Sequence, residues 1–150
     1  EKHSNILEGI EAVDTTPFFH NDMWYLFTST RRNCKKFGVR LDLFFTTNIL
    51  NPNWQEHPQN PVCKGHQQFR MAGKPFIYNG KLVRPSQDSL KRYGGNIELK
   101  EILELSSTSY KEQLLEVVLP DWKAEDDGCH TINAEDHFVV LDAIRLSPKK

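Results

Sequence analysis

The chain has 150 residues, 38% of them hydrophobic and 26% charged, and a formal net charge of −1. That balance fits one ordinary globular domain and excludes a disordered tail. It also excludes a nonspecific nucleic-acid binder, which needs a concentrated cationic surface, and no apolar run approaches the roughly eighteen residues of a membrane span.

Residues 5 to 13 alternate imperfectly and are expected to close one strand and approach the next. Asp14-Thr15-Thr16-Pro17 starts a strand that turns at Asn21-Asp22 into the aromatic run Met23 to Ser29, whose content suits a central strand. The basic stretch Arg31-Arg32-Asn33-Cys34-Lys35-Lys36 reads as a solvated hairpin tip. Leu41 to Thr47 is a third strand, ended by Asn51-Pro52-Asn53, and Trp54 to Cys63, with two prolines, is a crossing loop. Lys74 to Tyr78 and Lys81 to Arg84 pair across Asn79-Gly80, the strongest hairpin signal in the chain. Asn96 to Leu105 and Tyr110 to Leu119 fit either strand or helix by pattern and propensity. Trp122 to Asp127 is a second crossing loop, and a last hairpin follows Gly128.

These elements repeat. Pro17-Phe18-Phe19 with its turn and apolar run recurs at Pro75-Phe76-Ile77 about 58 residues later, and more weakly at Thr131 to Asp142. A period of about fifty to sixty residues with strand-turn-strand content is the signature of propeller blades, and it decides both ambiguous segments for strand. The expected units lie near 12–58, 70–120 and 128–147. At that period the chain holds about two and a half to three blades, fewer than a closed ring needs. Together with the start at Glu1, this predicts a partial propeller cut from a longer protein, with open strand edges that invite self-association.

Cys34, Cys63 and Cys129 form no disulfide framework, which leans toward a reducing, cytoplasmic compartment. Cys63 with His66 and Cys129 with His130 lack a recognised zinc spacing, so neither a metal nor a cofactor is expected. Trp24 and Trp54 read as packing residues, while Trp122, in a polar loop, is equally suited to a sugar platform.

A further set of residues resembles a family. Ala72-Gly73-Lys74-Pro75-Phe76, Asn79-Gly80-Lys81-Leu82-Val83-Arg84-Pro85-Ser86-Gln87-Asp88, Tyr93-Gly94, Tyr110-Lys111-Glu112, Pro120 and Gly128-Cys129-His130-Thr131-Ile132-Asn133 are similar to the N-terminal propeller domain of glucosamine inositolphosphorylceramide transferases and related bacterial proteins. The resemblance spans about residues 12 to 145. It implies an all-β fold, part of a five-bladed β-propeller distantly related to five-bladed glycoside hydrolases. In those hydrolases two carboxylates meet at the axis of the funnel. Asp14 stands where they place an axial Asp and is the candidate catalytic residue, but one period on the chain has Ala72-Gly73 where they often carry a Glu.

The polar set near the axis is then Asp14, Arg84, Gln87, Asp88, His130 and Asn133, whose donors and acceptors suit sugar hydroxyls or a phosphate. The implied function is a module recognising a glycan or sugar phosphate, associated with a glycosyltransferase of glycolipid or polysaccharide synthesis, with further blades or a catalytic domain as partners. The alternatives are a glycoside hydrolase-like enzyme and a structural propeller, in which Arg84 and Asp88 fasten neighbouring blades.

Overall fold

The computed structural model describes residues 5–32, 40–65, 69–90 and 92–145. Every regular element among them is a strand. The first sheet is an antiparallel meander of β1 (Ala12–His20), β2 (Met23–Thr30) and β3 (Arg40–Thr46), with the short strands β4 (Gln55–Glu56) and β5 (Cys63–Lys64) on the far side of β3. The second is the meander β6 (Phe76–Tyr78), β7 (Lys81–Asp88), β8 (Asn96–Leu105) and β9 (Tyr110–Val118). Two ribbons complete the set: β10 (Asp126–Gly128) pairs with β13 (Ile144–Arg145), and β11 (Ile132–Glu135) with β12 (Phe138–Leu141). These four sheets are separate, and none closes on itself among the described residues.

The three expected hairpins are therefore present, and backbone chemistry explains their turns. Asn21 and Asp22 have φ of 47° and 58°, and Asn79 and Gly80 have 50° and 76°. Two consecutive left-handed residues make the turn whose twist matches flanking strands, and Asn, Asp and Gly enter that region at least cost. Both ambiguous segments are strands, and the β8–β9 ladder slips register after Leu99 and after Ile102, as a bulged strand would.

Three expectations need correction. Residues 5–11 form no strand. The Trp54–Cys63 loop contributes β4 and β5, because Asn60 folds it back: its amide Oδ1 accepts from Leu43 N at 2.8 Å and its Nδ2 donates to Leu43 O at 2.8 Å. The second crossing loop ends in β10, where Asp126 pairs with Arg145. Most of the basic stretch, 33–36, lies outside the described residues; Arg31 pairs with Glu11, and Arg32 reaches both oxygens of Glu56 at 2.8 and 2.7 Å.

Both faces of the second sheet are covered. On one side Tyr25, Phe27, Leu41 and Leu43 of the first sheet pack with Met71, Ile102 and Tyr110. On the other, Ile97 and Leu99 pack with Ala72, Cys129 and Ile132 of the third hairpin. Each fully buried large apolar side chain contributes about 1.5–3 kcal/mol, so face-to-face stacking is what orders the three layers. The third hairpin is also hydrogen-bonded in place, Ile132 N donating to Ala72 O at 2.7 Å. A Cβ on Gly73, whose φ is 141°, would lie 1.9 Å from the Ile132 carbonyl oxygen, so only glycine permits this approach.

Candidate functional site

The first strand of each hairpin, with the residues just before it, brings its starting end to a common region. In β1 the register slips between Val13 and Thr16, and Asp14 sits there at φ 53°. A short polar side chain tolerates that conformation, and a bulge re-aims the side chain it carries. Threonines fasten it: Thr28 Oγ1 donates to Val13 O at 3.3 Å and is bonded to Thr15 Oγ1 at 2.7 Å.

The turned-out carboxylate meets Arg70, which lies just before the second hairpin, with Nε 2.5 Å from Oδ2 and Nη2 3.2 Å from Oδ1. This hydrogen-bonded carboxylate pushes the Arg70 guanidinium further up from its ordinary value. The guanidinium carbon also stands 5.7 Å from the centre of the Tyr93 ring. Tyr93 Oη is hydrogen-bonded to His130 Nε2 at 2.5 Å, and the two rings lie 4.8 Å apart. Below them Asp142 Oδ1 accepts from His130 N at 2.8 Å and Thr131 N at 2.6 Å. Arg92, beside Tyr93, pairs with Asp127. Asp14, Arg70, Tyr93, His130 and Asp142 thus form one chain of contacts, with the Arg92–Asp127 pair next to Tyr93 in sequence. Tyr93 is 61% exposed.

Of the six expected site residues, Asp14 and His130 belong to this chain of contacts. Gln87 lies next to it: its backbone N donates to Arg70 O at 2.9 Å and its Nε2 to Met71 O at 2.7 Å. Its Oε1 is buried with no hydrogen-bond partner among the described residues. Asp88 caps the loop after β7 by accepting from Leu90 N at 3.0 Å. Asn133 Oδ1 accepts from Lys74 N at 3.2 Å, tying the third hairpin to the second.

Arg84 stands elsewhere. It is 0% exposed and holds Glu112 through Nε and Nη2, both at 2.8 Å. Tyr110 Oη, at 2.5 Å, and Cys63 Sγ, at 3.0 Å, donate to the same carboxylate, so this cluster joins the first sheet to the second. Burial works against the charged Glu112, yet Arg84 and these donors hold it down to about 2. Burial pushes the Cys63 thiol up to about 12. Cys129 packs in the other core, so the two Cys-His pairs are not brought together, and His66 lies outside the described residues.

The sequence reading missed Arg70, Tyr93, Asp142 and Glu112 as functional or anchoring side chains. Tyr93 and Glu112 lay in the family-like segments, where neither was given a role of its own. Arg70 lies 56 residues from Asp14, close to one repeat, but the count pointed to Ala72 instead.

A cleft of about 480 Å3 opens at the opposite, turn ends of the same strands, lined by Phe18, His20, Lys74, Phe76, Leu82 and Glu135 among others. Of its charged side chains, Lys74 and Glu135 are paired at 2.6 Å across exposed side chains, and Asp136 also lines it. Directional hydrogen-bonding groups converge at the starting ends, and specificity for a polar ligand depends on such groups. No helix among the described residues is long and apolar enough to cross a membrane.

The family described as "Glucosamine inositolphosphorylceramide transferase 1, N-terminal" matches residues 3–149. Among curated proteins, the Glucosamine inositolphosphorylceramide transferase 1 of Oryza sativa subsp. japonica is 34% identical over 104 residues, which is 67% of this chain and 14% of that protein. The Arabidopsis thaliana protein of the same name is 33% identical over 104 residues, 67% of this chain and 13% of its own length. The chain thus spans about one seventh of the relatives it matches. No solved structure matches significantly.

Proposed function

The chain belongs to the family of the N-terminal domain of glucosamine inositolphosphorylceramide transferase 1, and on that premise we propose that it is a sugar-recognising module of a glycolipid glycosyltransferase. Its three hairpins are read as the inner parts of successive blades of a five-bladed β-propeller. Their face-to-face stacking and the neighbouring starting ends of their first strands support that reading.

One observation carries the function: Asp14, Arg70, Tyr93 and His130, from separate hairpins and the β7–β8 connection, form one hydrogen-bonded surface with an exposed aromatic ring. Planar donors, carboxylate acceptors and a ring face are what a sugar's hydroxyls and C–H faces require. The relatives' name supplies the ligand class, a glucosamine or an inositolphosphoryl headgroup. Hydrolysis of a glycosidic bond needs two free carboxyl groups. Asp14 is committed to Arg70, and the period-equivalent position is Ala72, which favours binding over cleavage.

Calorimetric titration with glucosamine, N-acetylglucosamine and inositol phosphate tests this. The expected result is saturable binding of at least one ligand, weakened by about tenfold or more in Asp14→Ala and His130→Ala while the melting temperature stays within a few degrees. Absence of binding by all three would leave a structural module. That second reading has its own support, because Arg84 and Asn133 are engaged in fastening one layer to the next.

A further inference from the structure

We propose that Asp14 is a charge gate: by occupying Arg70 it makes the site accept uncharged or ammonium-bearing sugars and reject phosphate. This rests on the sugar-recognising reading above and narrows its ligand class.

Phosphate sites are built from guanidinium forks, oriented backbone amides or helix N-termini that carry uncompensated positive charge. Here both guanidinium groups of the surface are matched. Arg70 spends Nε and Nη2 on the two oxygens of Asp14, and Arg92 is paired with Asp127. Asp142 adds a further negative charge whose contacts among the described residues are two backbone amides. Three carboxylates against two guanidinium groups leave one negative charge in excess. A phosphate entering the site must displace Asp14 from Arg70 and then sit beside the carboxylate it displaced. No helix N-terminus is present among the described residues to compensate.

The exposed Tyr93 side chain points the same way, because an aromatic face suits a sugar's C–H groups or an ammonium and not a phosphate.

Asp14→Asn isolates the gate. Asparagine keeps the shape of the side chain and tolerates the left-handed backbone at φ 53°, so the bulge survives while Arg70 loses its counter-charge. The chain is titrated at low ionic strength with inorganic phosphate, glucosamine and glucosamine 6-phosphate, with backbone amide spectra reporting both fold and site. The wild type is expected to give no saturable response to inorganic phosphate and to bind glucosamine at least tenfold more tightly than its 6-phosphate. Asp14→Asn should acquire saturable phosphate binding and reverse that preference. If the wild type rejects phosphate and binds neither sugar while Asp14→Asn captures phosphate, the gate stands and the sugar-recognising reading falls. Wild-type binding of phosphate or glucosamine 6-phosphate as tightly as glucosamine overturns the gate, as does a folded Asp14→Asn with unchanged phosphate affinity.

Discussion

Two arginine–carboxylate pairs in this chain have nearly the same geometry and opposite settings. Arg84 and Glu112 lie between two sheets, 0% and 10% exposed, whereas Arg70 and Asp14 are only partly buried, 24% and 23% exposed. The first pair is surrounded by donors that complete its hydrogen bonding; the second is bordered by an exposed ring and a histidine. Burial rather than residue type therefore separates the interior anchor from the more exposed pair proposed to face a ligand. A buried pair is costly to break because the survivor is left as an isolated charge, while a pair near water contributes little to stability and remains available to a ligand.

The largest effect that follows concerns the anchor. Glu112→Ala should destabilise the fold by about 3–5 kcal/mol, because Arg84 is left charged and unpaired between the sheets. The double variant Arg84→Met/Glu112→Leu, which removes both charges and fills the space, should recover most of that loss. Urea denaturation of the two variants checks the difference, and equal destabilisation would place Arg84 outside the interior anchor described here.

The second effect is acid sensitivity. Glu112 is held at about 2 in the folded chain against an ordinary 4.5, so its folded value is depressed. Its stabilising contribution, about 3 kcal/mol, is present above pH ~4.5 and lost as the pH falls toward 2. Stability of the wild type measured between pH 5 and 2 should fall more steeply than that of the Arg84→Met/Glu112→Leu variant. Parallel curves would contradict the pairing.

Much of this contrast was hidden in the sequence. The turns Asn21-Asp22 and Asn79-Gly80 were readable because local residue chemistry alone selects a left-handed pair. β8 and β9 became readable through the repeat. β4 and β5 did not, since two-residue pairings depend on Asn60 reaching Leu43 from 17 residues away. Asp14 and His130 were picked out by the family resemblance, and the structure brings them into one chain of contacts through Arg70 and Tyr93. Arg84 drew attention as part of a distinctive segment, yet alternation along β7 turns it to the face packed against the first sheet, where Glu112 of β9, in the same sheet as Arg84, waits. Arg70 acts across hairpins and Asp142 across the open end of one, and no local pattern announces such contacts.

Smaller effects sharpen the open pair. Arg70→Ala should cost at most about 1 kcal/mol of stability, because the pair is partly solvated. The same change should weaken glucosamine binding about tenfold, read by calorimetry alongside a melting curve. Loss of several kcal/mol of stability would make Arg70 an anchor like Arg84. Smallest is Tyr93→Phe, which keeps the ring and removes the bond to His130: a threefold or smaller loss of affinity is expected, against a larger loss in Tyr93→Ala. Equal losses in the two variants would transfer the role from the ring to the hydroxyl.

The most direct measurement is a glucosamine titration of the chain followed by backbone amide chemical shifts. Saturable shifts at Arg70, Tyr93, His130 and Asp142, with Arg84 and Glu112 unmoved, are the predicted result. No shift anywhere, or shifts confined to Phe18, His20 and Lys74 around the cleft at the turn ends, would contradict the site.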